Sequence, residues 1–466
     1  MGRMVMKMEQ ERSHFDQNDQ GADECKLQKR DSGMQKVYQA LPFVVLIGML
    51  VFFGIWQAVS EKRAYSASER RLLAKRPVLT AQSIFDTSFM SDYEEYLTDQ
   101  FPMRDQWITM KTYCGLLLGR RESGGVYIAR DRSMIELHMP EEAQGETAGR
   151  NMEVLLGFLK DMREAGAEQV RVMLVPTADS IWRNKLSPFA EPLDQQAYLE
   201  YVSSLLDEHG LKECYVDVWA GLSAHAEDPV YYKTDHHWTM FGAYIGYDAY
   251  VSSFSDTGRL PDGVLPWTAY RTEAVRLDFH GTTAAKCGLY NVNDEIVLVY
   301  PPESDAEHYR VSYDGGESES DSLYERRHIA GDDPYSVYLD GNHAMTVITI
   351  TREAVGENTA AEGRTGDEEG AKNMAEAGQE DHTEDVLRDT TAAQERVRSL
   401  LLIKDSYANS FVPYLTGIYD EITLIDPRHY NGSLHALMEE HHYTDVLVLY
   451  NLPNFLTETT VYQLGR

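Results

Sequence analysis

Three observations predict an α/β protein whose mostly parallel sheet carries helices on both faces, joined to an N-terminal membrane span. Residues 151–254 alternate amphipathic helical stretches with short apolar runs, the rhythm of βαβ units. Three further apolar runs, RSLLLIK, EITLI (421–425) and DVLVLY (445–450), return after residue 398 and read as buried strands. One run, VYQALPFVVLIGMLVFFGIWQAV at 37–59, has 23 residues and no charge, against about 20 needed to cross a bilayer.

In chain order, residues 1–36 are polar and aperiodic, the composition of a disordered cytoplasmic tail. The 37–59 run follows, with Tyr38 and Trp56 near its ends, where aromatic rings favour the membrane interface. A cleaved signal peptide fits less well, because the apolar stretch exceeds about 15 residues and no small-residue cleavage site follows closely. Lys26, Lys29, Arg30 and Lys36 precede the span, and Lys62, Arg63, Arg70 and Arg71 follow it, so charge does not set the orientation. A single uncleaved span near the start of a chain commonly works as a signal-anchor. The expected orientation therefore leaves the tail inside and the C-terminal part outside.

Residues 60–150 read as a stalk and a helical region, with a helix break at Pro102 in FMSDYEEYLTDQFPMRDQW. From 151 to 466 a single α/β domain is expected. NMEVLLGFLKDMREAG is a helix that stops at Gly166, and QVRVMLV (169–175) is a buried strand. DQQAYLEYVSSLLDEHG is a helix with Asp194 as N-cap and Gly210 as its stop, CYVDVW (214–219) is a short strand, and TMFGAYIGYDAYVSSF is a helix capped by Thr239. Residues 255–350 are irregular and β-rich, an excursion from the α/β core. Residues 353–395 hold 13 acidic and 3 basic side chains and almost no bulky apolar ones, so they read as a disordered acidic insertion.

The formal net charge of −32 argues against nucleic acid as a partner. Cys25, Cys114, Cys214 and Cys287 are spaced neither for a disulfide framework nor for zinc.

Chemistry concentrates at two places. KTDHHWT (233–239) puts Asp235 and His237 one residue apart, a spacing that points both side chains the same way at a strand end or tight turn. A carboxylate beside an imidazole holds its tautomer and raises its basicity. In SLLLIKDSYANS (399–410), Ser406 follows an apolar strand, where α/β sheets place their sites and where a helix N-terminus offers N–H groups to an oxyanion. A plain helix N-cap is the competing reading of that serine. Together the two segments supply nucleophile, base and acid.

These segments resemble the bacterial DHHW family, named for the 235–238 motif. The likeness extends through ERRLLAKRP, FMSDYEEYLTDQFPMR, VYIARDRSMIE, FHGTTAAKCG, YLDGNHAM and IDPRHY, and so covers most of 60–455. That family is similar to the SGNH-hydrolase-like domains of alginate O-acetyltransferases. The resemblance implies an SGNH-hydrolase-like fold with Ser406 as nucleophile, His237 as general base and Asp235 as orienting acid. It implies O-acyl transfer, acetyl above all, onto a cell-envelope or exported polysaccharide, with a membrane-bound O-acyltransferase as partner and the catalytic domain extracytoplasmic. A carbohydrate esterase with the same triad and a non-catalytic envelope scaffold are the alternatives. Lys404 departs from the usual pattern, where glycine precedes Asp-Ser.

Asn409, within the same turn as Ser406, and Asn342, in a block resembling Gly-x-Asn, are the candidate oxyanion donors; a plain turn at Gly341–Asn342 is the other reading. Trp238 either packs under the site or forms a sugar platform. Arg428 either binds a substrate anion or forms a structural ion pair. No cofactor is expected, and no metal, since His236 and His237 in an extended segment would point apart.

Overall fold

The computed structural model describes residues 39–66, 71–254, 264–302, 307–352 and 397–465. The expected tail at 1–36 and the acidic insertion at 353–395 lie outside them. The chain divides into two compact units, Met1–Ile108 and Thr109–Arg466.

In the first unit, helix α1 (Gln39–Val59) is long and apolar enough to cross a membrane, and none of its most apolar stretch is fully buried among the described residues. Phe53 near its end stacks on Phe101 at 5.3 Å, and Gln57 Nε2 donates to Leu97 O at 2.8 Å. Helix α2 (Ser88–Asp99) stops before Pro102, and α3 (Arg104–Leu117) restarts beyond it. Proline constrains the residue before it and lacks the N–H a continuing helix needs.

The second unit is built on a seven-stranded sheet. Its strands are β1 (Gln169–Val175), β4 (Glu307–Tyr313), β5 (Ser318–Ser320), β6 (Met345–Arg352), β7 (Ser399–Lys404), β8 (Glu421–Ile425) and β9 (Asp445–Asn451). Strands β2 (Arg271–Phe279) and β3 (Asp294–Tyr300) form a separate antiparallel hairpin. The sheet order is β5-β4-β6-β8-β7-β9-β1. The four strands β8, β7, β9 and β1 are parallel, with β7 at their centre. Every residue of β1, β7 and β9 is buried, as continuous apolar runs require when both sheet faces are covered.

Alternation sends the two sets of side chains to two cores. Val170, Val172, Leu401, Ile403, Val446 and Val448 pack with helices α4 (Glu146–Glu164), α5 (Gln195–Glu208) and Leu434–His441. Met173, Val175, Leu400, Leu402, Leu447 and Leu449 face the opposite core, which holds α6 (Met240–Ser252), the β2–β3 hairpin and residues 323–339.

Three expectations change here. The sheet is mixed, because β6 pairs antiparallel with β8 and carries β4 and β5 outward. Residues 307–352 therefore supply the sheet's antiparallel edge and do not leave the core. CYVDVW does not form a strand: it gives a tight turn at Lys212–Cys214, one bridge from Tyr215 to Val172, and a short helix from Trp219. Val216 N donates to Val172 O at 3.0 Å, but the contact goes no further, and Val216 and Val218 are buried in the core, so burial mimicked strand periodicity.

Candidate active site

Ser406 stands where β7 ends. Asp405 caps the following turn, Ser406–Ser410, which is a 3₁₀ turn and not the longer helix expected. The Asp405 carboxylate is buried, which raises its pKa, and four N–H donors offset that cost. Tyr407 N donates to Oδ1 at 2.9 Å. On Oδ2 it receives Asn451 N at 3.0 Å, Asn451 Nδ2 at 2.8 Å and Asn454 Nδ2 at 3.0 Å. The serine turn is thus clamped to the end of neighbouring strand β9.

The 231–239 loop brings the other two residues. An isolated bridge from Tyr231 to Trp238 closes it, and Tyr232 N donates to His237 O at 3.2 Å. Within it, His237 Nδ1 lies 2.5 Å from Asp235 Oδ1, and His237 Nε2 lies 2.8 Å from Ser406 Oγ. An ionised carboxylate only accepts, so the ring proton sits on Nδ1 and Nε2 is left to accept from the serine hydroxyl. Asp235 Oδ2 in turn accepts from Thr282 N at 2.7 Å and Thr282 Oγ1 at 3.3 Å. Gly281 makes this approach possible: a Cβ there would sit 2.1 Å from Asp235 Oδ2. Asp294, on the hairpin, accepts from Lys233 N, Thr234 N and Thr234 Oγ1 at 3.1, 2.7 and 2.6 Å and anchors the loop from behind.

Tyr335 completes the frame. Its ring stacks on the His237 imidazole with centroids 3.8 Å apart, and its hydroxyl donates to Ser410 Oγ at 3.2 Å. Sequence reasoning missed Tyr335, Thr282 and Gly281. The FHGTTAAKCG motif signalled the last two, but nothing around Tyr335 set it apart from other tyrosines.

The remaining candidates fall elsewhere. Trp238 is fully buried, donates Nε1–H to Tyr407 O at 2.9 Å and stacks against Phe411, so it packs under the site and offers no sugar platform. Asn409 gives its amide hydrogens to Gly341 O at 3.0 Å and Asn342 Oδ1 at 3.2 Å, which leaves none for an oxyanion. Both asparagines turn their oxygens to Lys404, whose Nζ donates to Asn409 Oδ1 at 2.7 Å and Asn342 Oδ1 at 2.9 Å. Asn342 is therefore part of a lysine clasp. Lys404 is buried, which brings its pKa down to about 8 despite the pull of nearby Asp426. Arg428 pairs with Asp426 through Nε–Oδ1 at 2.9 Å and Nη2–Oδ2 at 2.6 Å. Burial would raise Asp426, but Arg428 and the Lys404 charge hold it below the usual range. The guanidinium fork is spent on this structural pair.

His236 does not point away from His237: the ring centroids are 3.8 Å apart, and Asp235, His236 and His237 bring ligand-type atoms within 4.8 Å of one another. His236 Nδ1 is 2.6 Å from Thr282 Oγ1, and its packed surroundings and the neighbouring His237 depress its pKa. Among the described residues, these three form a group that could gather round an ion. A cleft of about 200 Å³ opens beside the group, walled by Asp235, His236, Thr282, His138, Thr177 and Asn454.

The sheet, the serine turn and the 231–239 loop belong to an SGNH hydrolase-like α/β domain. Residues 136–329 match the family described as the SGNH hydrolase-like domain of the acetyltransferase AlgX; the match includes Asp235 and His237 and ends before Ser406. Among solved structures, a DHHW family protein from Eubacterium siraeum is similar at 19% identity and TM-score 0.51, over 73% of this chain and 95% of that one. Bacillus cereus PatB1 with a sulfonyl adduct shares 16% identity at TM-score 0.48, over 73% and 97%. The O-acetyltransferase domain of Pseudomonas putida AlgJ shares 14% at TM-score 0.41, over 73% and 98%. No curated protein sequence matches the chain.

Proposed function

We propose that the protein is a membrane-anchored, extracytoplasmic O-acyltransferase that passes an acyl group, an acetyl in the first instance, to hydroxyls of a cell-envelope or exported polysaccharide. The observation that carries this reading is the unbroken path Asp235–His237–Ser406, with links of 2.5 and 2.8 Å. That continuity goes against a non-catalytic scaffold, as does the buried clasp on Lys404, which fills the glycine position without disturbing the serine. The acetyltransferase family match supports acyl transfer, and α1 supports anchoring.

In this reading His237 Nε2 takes the Ser406 hydroxyl proton as Oγ attacks the acyl carbonyl, and Asp235 stabilises the imidazolium. The tetrahedral oxyanion forms next to the Ser406 backbone N–H, which sits at the first position of its turn and so has no acceptor within it. Collapse expels the donor's leaving group, which takes the proton from His237. A sugar hydroxyl then loses its proton to His237, attacks the Ser406 ester and leaves with the acyl group, and Oγ recovers the proton. The cleft beside Asp235 and His236 is where donor and acceptor would enter in turn. A membrane-bound O-acyltransferase is the proposed source of the acyl group.

The test uses the full-length chain in detergent with p-nitrophenyl acetate, wild type against Ser406→Ala. Release of p-nitrophenol with an acetyl-enzyme seen by mass spectrometry, both lost in the variant, is the expected result. Added oligosaccharides should then accept the acetyl group. Turnover indifferent to them points to an esterase, and equal background from both proteins removes serine acyl chemistry.

A further inference from the structure

The loop that carries the base also walls a second cavity. Asp235 and His236 line the 200 Å³ cleft, whereas Tyr232, Lys233 and Thr239 line a cavity of about 770 Å³. That volume is in the range of about 300–1,000 Å³ usual for small-molecule sites.

Its lining is two-sided in chemistry. Phe241 and Trp267, both partly exposed, meet edge to face with centroids 5.3 Å apart and present apolar ring surface. Trp182 is already covered by Lys185 Nζ at 3.5 Å from its centroid, and the same ammonium is 3.1 Å from Asp131. Five carboxylates line the same cavity against two lysines; Asp131, Asp228 and Asp294 already hold Lys185, His225 and the loop donors, so the exposed Glu227 and Glu295 are the ones that face a ligand. A purely apolar ligand would strip water from those carboxylates and return no hydrogen bonds. An anionic ligand would meet their surplus charge and a chain of net charge −32. A pyranose ring matches both features, with a C–H face for the aromatic rings and hydroxyl donors for the carboxylates.

We propose that this cavity is a glycan-holding subsite for an uncharged oligosaccharide segment, separate from the catalytic cleft and sharing one loop with it. The proposal rests on the acyl-transfer reading for the polymer's fate but not for its binding. A polymer gripped here is tethered to the loop that positions Asp235 and His237, and its neighbouring residues become the local acceptors.

The experiment is calorimetry on the full-length protein in detergent with cellohexaose, xylohexaose, chitohexaose, a galacturonate hexamer and choline. At least one neutral hexasaccharide should bind, and galacturonate and choline should not. Trp267→Ala and Phe241→Ala should each weaken binding tenfold or more, Trp267→Phe should restore most of it, and Ser406→Ala should leave it intact. Both cavity variants should release p-nitrophenol from p-nitrophenyl acetate at the wild-type rate. Binding of galacturonate or choline alone, no binding of any neutral sugar, or neutral binding indifferent to both substitutions would each overturn the subsite. Sugar binding by a protein without Ser406-dependent release would instead sink the acyl-transfer reading and leave the subsite standing.

Discussion

Tyr335 lies flat on His237, with planes 10° apart and centroids at 3.8 Å, and its hydroxyl is tied to Ser410 in the turn that begins with Ser406. One side chain therefore sets the tilt of the imidazole and touches the serine turn. Removing the ring in Tyr335→Ala should lower kcat on p-nitrophenyl acetate about 10²-fold, the scale of a small misplacement of reacting groups. Tyr335→Phe keeps the stack and should cost far less. Equal losses from the two variants would show that the hydroxyl, not the stacked ring, holds the base.

Asp235 is seated against a residue with no side chain. In Gly281→Ala the new methyl would overlap Asp235 Oδ2, so the carboxylate must move off its Thr282 donors. Activity should fall toward that of Asp235→Asn, for which a loss on the order of 10⁴-fold is expected when an orienting acid is disabled. Kinetics of both variants, with melting curves to establish folding, check this. An active Gly281→Ala would mean that Asp235 does not orient His237 from this position.

Lys404 makes stability depend on pH with a defined sign. Folding lowers its pKa from 10.5 to about 8. Below pH 8 both states hold the proton, and the folded state carries the cost of a buried ammonium. Between pH 8 and 10.5 the folded state has released the proton while the unfolded chain retains it, so stability rises with pH across that window. At about 1.4 kcal/mol per unit the full gain is roughly 3.5 kcal/mol. Denaturation midpoints at pH 7 and 9.5 should show wild type gaining on Lys404→Met, and a constant gap between the two would refute the assignment.

Arg428 separates a structural from a substrate role. Arg428→Gln leaves the buried Asp426 carboxylate without its guanidinium, a loss of about 3–5 kcal/mol for a broken buried pair. KM for acceptor should stay near the wild-type value wherever the variant is folded. A rise in KM with unchanged stability would return Arg428 to the list of substrate contacts.

Local patterns made much of this protein readable in advance. The uncharged run predicted at 37–59 gives α1 over Gln39–Val59 because length and apolarity are properties of the stretch alone. The buried strands β1, β7, β8 and β9 follow from continuous apolar runs. Asp235 and His237 come together because a two-residue spacing constrains them directly. Ser406 was legible as a residue at a strand end, but its 2.8 Å approach to His237 joins positions 169 residues apart.

What only the tertiary structure decided are contacts whose partners carry no local signal. The antiparallel edge made by β6, β4 and β5 depends on which strand lies beside β8, a choice that periodicity does not record. Lys404 departed from the glycine pattern and is a buried clasp because the oxygen of Asn342, 62 residues away, joins that of nearby Asn409 on its ammonium. Trp238 had two readings, and its burial against Phe411 selected between them. Spacing along a chain governs the residues that share a turn or a strand, whereas packing between elements is settled only when the whole core closes.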